Sequence, residues 1–236
     1  MPRTATATRK SEETRARILD AALALFRNRG FENTTMRDIA QESHVALGAA
    51  YYYFDSKDAL VMGFYERAQH DLAPLLENAL SKTQGQGLEE RLQAAIEVKF
   101  QYFAQNRQLL GALSAHIDPQ HPLSPFSEET RTIRERDIAF LSAAIDGSKV
   151  RIPGDLKTHL PRVLWLYQMG LMLFWVYDRS PEQRRTRLLF QKSLSIVVNL
   201  IRFSSLPLMR PVRKLATDLF ALVYGDHELS LPKAAL

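Results

Sequence analysis

The sequence of 236 residues contains no cysteine, which excludes disulfides, thiolate metal ligands and cysteine nucleophiles. It also has no hydrophobic run long enough to cross a bilayer, because the longest, at residues 163–177, is short and contains Gln168. The N-terminal segment is polar and basic and has no apolar centre, so it does not have the pattern of a secretory signal. We therefore expect a cytoplasmic protein that does not span a membrane.

Strand and enzyme patterns are missing as well. No stretch shows the sustained alternation of apolar and polar residues that is typical of strands, and there are no internal repeats. The sequence has no glycine-rich phosphate loop, nucleophile elbow or metal-ligand motif, which argues against a helical enzyme. With 46% hydrophobic and 24% charged residues, the composition is that of a folded protein. We predict an all-α fold of nine or ten helices, with no enzymatic activity and no cofactor.

The charge balance permits a nucleic-acid partner without requiring one. The formal net charge is +5 and the pI is about 9.5. Residues 1–57 hold nine Lys or Arg and seven Asp or Glu, a balance that also fits an ordinary solvated surface. Only the N-terminal segment has the character of an electrostatic arm, since it contains Arg3, Arg9, Lys10, Arg15 and Arg17 and only Glu12 and Glu13.

The most informative pattern is TTMRDIAQESHVALGAAYYYFDSK at residues 34–57, which predicts two short helices joined by a tight turn. Thr35 can cap the first helix, with Asp38 three positions later to complete a capping-box pair. The second helix is predicted at residues 46–53, and Phe54 after it suits the core. Two short helices at a steep angle are the unit that commonly places a helix in the major groove of DNA. The pattern therefore predicts DNA binding.

Three blocks of sequence carry a family resemblance. They are ILDAALALFRNRGF at residues 18–31, TTMRDIA at residues 34–40, and Val45, Gly48, Tyr51, Phe54, Lys57 and Leu60 of HVALGAAYYYFDSKDAL. With these blocks, the first 70 residues resemble the DNA-binding domain of the TetR family of bacterial transcriptional regulators. The resemblance implies an N-terminal three-helix helix-turn-helix DNA-binding domain and a larger C-terminal helical domain that binds a small effector and dimerises.

The second short helix departs from the residues that similar regulators often carry. It reads Ala-Leu-Gly-Ala-Ala at residues 46–50, which cannot make the bidentate hydrogen bonds that distinguish guanine or adenine. By resemblance, Arg37 on the preceding helix is the best candidate to read a base, while DNA shape and the arm add specificity. The alternative is a helical interaction module that kept the fold without specific operator binding. The predicted DNA-contacting residues are Thr35, Arg37, Ala46, Leu47, Gly48, Ala49, Tyr51, Tyr52, Tyr53 and Lys57.

Four segments follow from these patterns. They are a flexible basic arm at residues 1–11, a helix-turn-helix domain at 12–72 with its motif at 35–54, an effector-binding and dimerisation domain at 73–225, and a tail at 226–236. Within them, the first helix is predicted to begin near Ser11, and later helices are predicted to follow the caps Ser56, Ser127 and Ser180. A long apolar helix is predicted to open at residues 153–155 and to last to Tyr177, with Pro161 either a kink in it or its true start.

The resemblance implies a homodimer through two long helices, at about residues 161–178 and 181–203. The first is apolar nearly all round, so we expect it to be buried on several sides. An ordinary monomer core is the alternative use of these surfaces. The second helix has an apolar face formed by Leu188, Leu189, Ser193, Ile196, Val197 and Leu200.

Aromatic and methionine residues in the same region favour a cavity for a small, largely apolar effector, between a helix at residues 88–106 and the apolar helix. His116 and His121 lack companions at ligand spacing, so we predict no metal site. The sequence thus predicts a homodimeric repressor that an effector releases from a near-palindromic operator in double-stranded DNA. The predicted effector-binding residues are Phe100, Phe103, His116, Trp165, Gln168, Met169, Met172 and Trp175.

Overall fold

The computed structural model describes residues 3–114, 116 and 118–224, with side chains from residue 9 to residue 219 of these ranges. This part of the chain contains helices and no strand, which confirms the predicted all-α class. The predicted tail at residues 226–236 and the first two residues of the arm lie outside the described residues. The α-helices are α1 Arg3–Arg29, α2 Met36–Glu42, α3 Leu47–Tyr53, α4 Lys57–Lys82, α5 Leu88–Phe103, α6 Arg107–Leu113, α7 Arg131–Asp146, α8 Gly154–Lys157, α9 Leu160–Tyr177, α10 Arg184–Ser204 and α11 Arg210–Tyr224.

Helix α1 begins at Arg3, which corrects the predicted start near Ser11. The added segment contains neither glycine nor proline, so nothing in it interrupts helical geometry. Arg9 and Glu13 lie one turn apart and form an exposed ion pair at 3.0 Å. Residues 3–11 are therefore helical and not an unstructured arm, while their contact with DNA stays a prediction.

The smaller of two hydrophobic cores is formed by α1, α2, α3 and the first half of α4. Ile18 and Phe26 of α1 are fully buried in it, and Phe54 is 2% exposed, as predicted for a core residue. Leu109 and Leu113 of α6 belong to the same core, although they follow much later in the chain. The helix-turn-helix unit therefore packs on α6 as well as on α4.

Helix α4 connects the two cores. Its first half, up to Phe64, packs in the smaller core, and from Ala68 onward it packs in the larger core with α5, α7, α9 and α10. Ser56 caps its start by accepting a hydrogen bond from the Ala59 amide, as predicted. The helix continues across Pro74, so a single unbroken helix links the larger core to the helix-turn-helix.

Helix α7 begins at Arg131, so the prediction that Ser127 caps it is wrong. Ser127 is 1% exposed, and its hydroxyl group donates to the Pro122 carbonyl and accepts from the Thr130 amide within a turn. A buried hydroxyl must have hydrogen-bond partners, and here the loop before α7 supplies them. Ser127 therefore stabilises that loop and does not cap α7.

Helix α10 begins at Arg184, later than the start predicted from Ser180 and Pro181. Glu182 and Gln183 are the last two residues of a short 3-10 turn, and their left-handed φ values of 49° and 53° interrupt helical geometry before α10. The Ser180 hydroxyl accepts a hydrogen bond from the Arg185 amide, five positions later, and so satisfies one backbone N–H group in the first turn of α10.

The corner between α9 and α10 is held by Asp178, which is 6% exposed. Its carboxylate accepts hydrogen bonds from the Ser180 amide and from both the amide and the hydroxyl group of Thr186. Burial acts to raise the pKa of Asp178, but these hydrogen bonds outweigh burial and lower it. The ionised carboxylate therefore supplies the cap that the start of α10 requires.

The long apolar segment is divided into α8 and α9, so the prediction of one continuous helix from Pro153 to Tyr177 is wrong; Pro161 lies in the first turn of α9, which fits its alternative role as the true start. This division brings the α-helices to eleven in the described ranges, more than the nine or ten predicted. Among the described helices, none is both long and apolar enough to cross a membrane.

Candidate nucleic-acid interface and ligand cavity

The start of α2 is fixed by a reciprocal pair of hydrogen bonds, which confirms the predicted capping box. The Thr35 hydroxyl accepts from the Asp38 amide at 3.2 Å, and the Asp38 carboxylate accepts from the Thr35 amide at 2.8 Å. Hydrogen bonds from the Thr35 side chain, and then from its amide, are the main causes that lower the pKa of Asp38. Arg29 adds an ion pair to the same carboxylate at 3.6 Å.

A tight turn then sets α3 against α2. Ser43 is buried and its hydroxyl group donates to the Ile39 carbonyl at 2.7 Å. His44 follows with φ of 54°, a left-handed conformation in which histidine is enriched among non-glycine residues. The His44 side chain is exposed beside the start of α3. The sequence analysis did not predict this left-handed residue in the four-residue connection between α2 and α3.

One face of α3 is exposed to solvent. Tyr52 is 82% exposed, Tyr51 48% and Leu47 37%, whereas Ala50 on the opposite face is fully buried. A Cβ atom added to Gly48 would meet no atom within 4 Å, so packing inside the chain does not require glycine there. Of the other residues predicted to contact DNA, Thr35, Arg37 and Ala46 are exposed and Ala49 is half-buried.

Two of the predicted DNA contacts are engaged within the domain instead. The Tyr53 hydroxyl accepts a hydrogen bond from the Ser11 hydroxyl at 3.2 Å, so it ties α3 to α1. The Lys57 ammonium donates to the Phe31 carbonyl at 2.7 Å and lies 4.4 Å from the centre of the Phe31 ring. Both residues are half-buried. Their contact with DNA stays a prediction, and the exposed face of α3 does not include them.

A cavity of about 350 Å³ lies inside the larger domain, within the size range of small-molecule sites. Its wall comes from α4, α5, α6, α7 and α9 and from the loop before α7, so it extends beyond the predicted position between two helices. Leu123, Pro125 and Phe126 of that loop form part of the wall. Six of the eight predicted effector-binding residues line it, namely Phe103, His116, Trp165, Gln168, Met169 and Met172.

The other two predicted residues, Phe100 and Trp175, are not in the cavity wall. Their ring centres lie 5.3 Å apart, and the Phe100 ring also packs edge-on against Phe190 of α10 at 5.9 Å. The guanidinium of Arg107 lies 5.7 Å from the Trp175 ring and donates to the Trp175 carbonyl. The two rings lie outside the cavity wall. They pack where α5, α9 and α10 meet.

The cavity wall also contains a polar patch, beside the aromatic and methionine side chains from which the cavity was predicted. The Lys99 ammonium and the Asp137 carboxylate form an ion pair at 2.9 Å, and the Lys99 side chain is 4% exposed. Lys99 also donates to the Gln168 side-chain oxygen at 3.1 Å. Gln69 completes the patch, so four different helices contribute one residue each. Lys99 on an apolar helix face and Gln168 inside an apolar run were signals for it, whereas Asp137 had none.

The two histidines near the cavity do not form a metal site with other residues. The rings of His116 and His121 are stacked with centres 3.9 Å apart. The Nδ1 atom of His121 accepts from the Leu123 amide, which leaves it without a lone pair for a metal. In the described part of the chain, no group of three or more histidine, cysteine, aspartate or glutamate residues is placed to hold a metal ion.

An exposed helix-turn-helix attached to a helical domain with an apolar cavity defines the class of helical transcriptional regulators. Residues 91–219 match the family described as tetracyclin repressor-like, C-terminal domain, and residues 18–62 match the family described as bacterial regulatory proteins, tetR family. The first match alone covers more than half of the chain. The protein therefore belongs to the TetR family of bacterial transcriptional regulators, whose members are regulators and not enzymes.

Curated relatives are similar over a short segment. The HTH-type transcriptional regulator SrpR of Pseudomonas putida is 38% identical over 63 residues, which are 27% of this chain and 30% of SrpR. The HTH-type transcriptional repressor KstR2 of Rhodococcus jostii (strain RHA1) is 45% identical over 47 residues, which are 20% of this chain and 23% of KstR2. The chain therefore spans less than a third of the length of these two relatives.

Solved structures are similar over most of the fold. A tetR-family transcriptional regulator from Streptomyces coelicolor has a TM-score of 0.59 and 20% identity, covering 90% of this chain and 98% of that one. Thermus thermophilus FadR, a TetR-family transcriptional repressor solved in complex with lauroyl-CoA, has a TM-score of 0.55 and 24% identity, covering 77% and 93%. At these identities the similarity shows the fold alone.

Proposed function

We propose that this protein is a homodimeric repressor that binds a near-palindromic DNA operator and is released from it by a small, largely apolar effector. The observation that carries the proposal is the exposed face of α3, which includes Leu47, Gly48, Tyr51 and Tyr52, together with the exposed Arg37 of the preceding helix α2. A recognition helix must offer such a face to enter the major groove.

The chemistry of this face favours a specific division of roles. Arg37 is the exposed cation of α2 and suits a guanine edge, which a guanidinium contacts through two hydrogen bonds. The side chain of Leu47 offers apolar contact to thymine methyl groups, and Gly48 lets the backbone of α3 approach closely. The exposed hydroxyl groups of Tyr51 and Tyr52 suit phosphate oxygens, which position the protein without reading sequence.

A dimer is supported by apolar surface that this chain leaves uncovered on α9 and α10. On α9, Leu173, Phe174 and Tyr177 are 42%, 41% and 60% exposed and lie on one helical face with Gly170. The buried residues of α10 are not those of its predicted apolar face. Four residues of the predicted face therefore remain exposed, namely Leu188, Leu189, Ile196 and Leu200. The neighbouring Phe203 is exposed as well.

These uncovered stripes are the kind of surface that an obligate interface buries, since such interfaces resemble a domain core. A two-fold dimer presents two recognition helices to DNA, and a palindromic operator reflects that symmetry. Pairing of α9 and α10 with their copies is therefore our proposed interface.

Helix α6 contacts both the cavity and the core of the DNA-binding unit, so it can transmit a displacement from one to the other. Leu113 lines the cavity and also belongs to the smaller core with Leu109. Arg107 at the start of α6 donates to the carbonyls of Trp175 and Asp178 at the end of α9. A ligand that displaces α6 would therefore disturb the packing under α1, and the continuous helix α4 provides a second connection. A small change in the separation of two recognition helices strongly weakens binding to a fixed operator.

The test is selection of bound duplexes from a random DNA library with the purified full chain, followed by titration of the selected site. We expect enrichment of a near-palindromic sequence and an affinity that falls steeply with salt. Arg37→Ala should lose the preference at one base position in each half-site. Enrichment of no sequence, with equal weak binding to all duplexes, would instead support the alternative of an interaction module.

A further inference from the structure

The polar patch in the cavity wall carries an inference about the chemical class of the effector, which rests on the proposed function. The patch consists of Gln69 of α4, Lys99 of α5, Asp137 of α7 and Gln168 of α9, and all four residues line the cavity. The remainder of the wall is mainly apolar and aromatic. A ligand that fills this cavity therefore meets this patch on a largely apolar surface, whose other polar members include Ser114, His116, Thr130 and Arg134.

The ammonium group of Lys99 is already compensated. It contacts the Asp137 Oδ2 atom at 2.9 Å and the Gln168 Oε1 atom at 3.1 Å, in a position where the Lys99 side chain is 4% exposed. The ion pair is neutral as a whole, so a charged ligand would add an unbalanced charge beside it. A buried charge without a partner is costly because it loses its hydration.

The carboxylate of Asp137 retains the capacity to accept a further hydrogen bond. Its Oδ1 atom meets the Gln69 amide at 3.5 Å, and its Oδ2 atom meets the Gln168 amide at 3.5 Å, both at the outer limit of hydrogen-bond geometry. An ionised carboxylate accepts about four hydrogen bonds. The Asp137 side chain is 16% exposed, more than the 4% of Lys99, so the acceptor is the accessible member of the pair.

The competing head group is an anion, because Arg134 also lines the cavity. The Arg134 guanidinium, however, donates to the carbonyls of Pro125 and Ser127 at 2.8 and 3.1 Å. Both bonds come from its Nη1 atom and hold the loop before α7, and 4-butylbenzoate in the compound series below tests whether its other N–H groups bind an anion. Asp137 remains the group with an acceptor directed to the cavity.

We infer that the effector is a neutral aromatic molecule with an apolar substituent and a hydroxyl group, and that this hydroxyl donates a hydrogen bond to Asp137. The rings of Phe103, Phe126 and Trp165 and the side chains of Met169 and Met172 line the cavity. Flat aromatic bodies make favourable contacts with both side-chain types. A phenol matches this wall with its ring and the polar patch with its hydroxyl.

The experiment compares compounds that share one apolar body and differ in the head group: 4-butylphenol, butylbenzene, 4-butylbenzoate and 4-butylbenzylamine. Binding to the full chain is measured by calorimetry in the absence of DNA. We expect 4-butylphenol to bind about tenfold more tightly than each of the others, the gain of one hydrogen bond to a charged group. Equal binding of butylbenzene, tighter binding of the benzoate or the amine, or no binding of any compound would overturn the inference.

A double variant identifies the group responsible. In Lys99→Met/Asp137→Leu both members of the pair become apolar, a change that proteins often tolerate because no buried charge is left alone. We expect it to bind butylbenzene at least as well as the wild type and to lose the preference for the phenol. The matched control Lys157→Gln/Asp146→Asn removes the exposed ion pair of these residues at 3.0 Å and should keep that preference. A phenol preference that persists in the first variant would exclude Asp137 as the acceptor.

Failure of the inference and failure of the proposed function give different results. Calorimetry without DNA reports the ligand class alone, whereas operator binding by the unliganded protein reports the regulatory function alone. If 4-butylphenol binds with the expected preference but leaves operator affinity unchanged, the ligand class stands and the release mechanism is wrong. If the variant does not fold, the compound series on the wild type still decides the inference.

Discussion

At the scale of single residues, Thr35 connects a local sequence signal to the position of the DNA-binding unit. Its hydroxyl and amide groups bond Asp38 and fix the first turn of α2, which in turn sets α3. Loss of this cap should destabilise the protein by about 1 kcal/mol, the usual value for a threonine cap replaced by alanine. Thr35→Ala, followed by urea unfolding at pH 7, measures it. Thr132→Ala, an exposed threonine near the start of α7, should change the free energy of unfolding much less.

The contribution of Asp38 should depend on pH. Hydrogen bonds from Thr35 lower the pKa of Asp38 in the folded protein below its ordinary value. A group with a lowered pKa stabilises the fold above its unfolded pKa, and this stabilisation is lost as the pH falls through the folded pKa. The difference between wild type and Thr35→Ala should therefore be constant near neutral pH and shrink below about pH 4. A difference that stays the same at pH 3 would contradict the role of the ionised carboxylate.

Arg37 is the residue on which we expect sequence preference to depend. Arg37→Ala should relax the preference at one base position per half-site, at a cost of about 1–3 kcal/mol if the contact is bidentate. Competition between the selected operator and single-base variants measures this directly. The control Arg136→Ala removes an exposed cation from α7 and should leave the preference intact. Uniform weakening on every duplex would assign Arg37 to a phosphate instead.

At the scale of elements, the N-terminal part of α1 extends the helix beyond the core that its later residues form. The buried positions of α1 begin at Ile18, so removal of residues 1–10 takes away no core side chain among those described. We expect the truncated protein to unfold at an unchanged urea concentration but to bind DNA more weakly and with a smaller salt slope, because it lacks cations. Arg9→Gln/Lys10→Gln in the full chain should reproduce part of that loss. Unchanged affinity and salt slope would show that this segment takes no part in binding.

At the scale of the whole molecule, the uncovered apolar stripes of α9 and α10 predict a dimer. Phe174→Glu/Leu200→Glu places two charges in those stripes, where they would be buried without partners on association. Light scattering should then give a mass near the 26.9 kDa of one chain, against twice that mass for the wild type. Leu75→Glu alters a leucine on α4 that is 45% exposed and should leave the dimer intact. A wild-type protein that is monomeric at micromolar concentration would refute the proposed interface.

The sequence alone determined the features that a few neighbouring residues encode. Helical periodicity, the Thr35–Asp38 cap, the Ser56 cap and the burial of Phe54 were all predicted and are all present. The two caps depend on side chains within one helical turn, where spacing along the chain determines spacing in space. Where a local signal competes with another requirement, the prediction fails. Ser127 is the example, since its hydroxyl satisfies a buried loop and not a helix start.

Only the tertiary structure decided which side chains from distant helices meet. Lys99 and Gln168 are separated by 69 positions and share a hydrogen bond, and Asp137 joins them from a third helix. Phe100 and Trp175 have the composition of a ligand site, but the rotation of α5 and α9 places them outside the cavity. Helical periodicity states which residues share a face, but the packing of one helix on another determines what that face meets. The hydrophobic character of the cavity was therefore readable in the sequence, whereas its polar patch exists only because four helices converge.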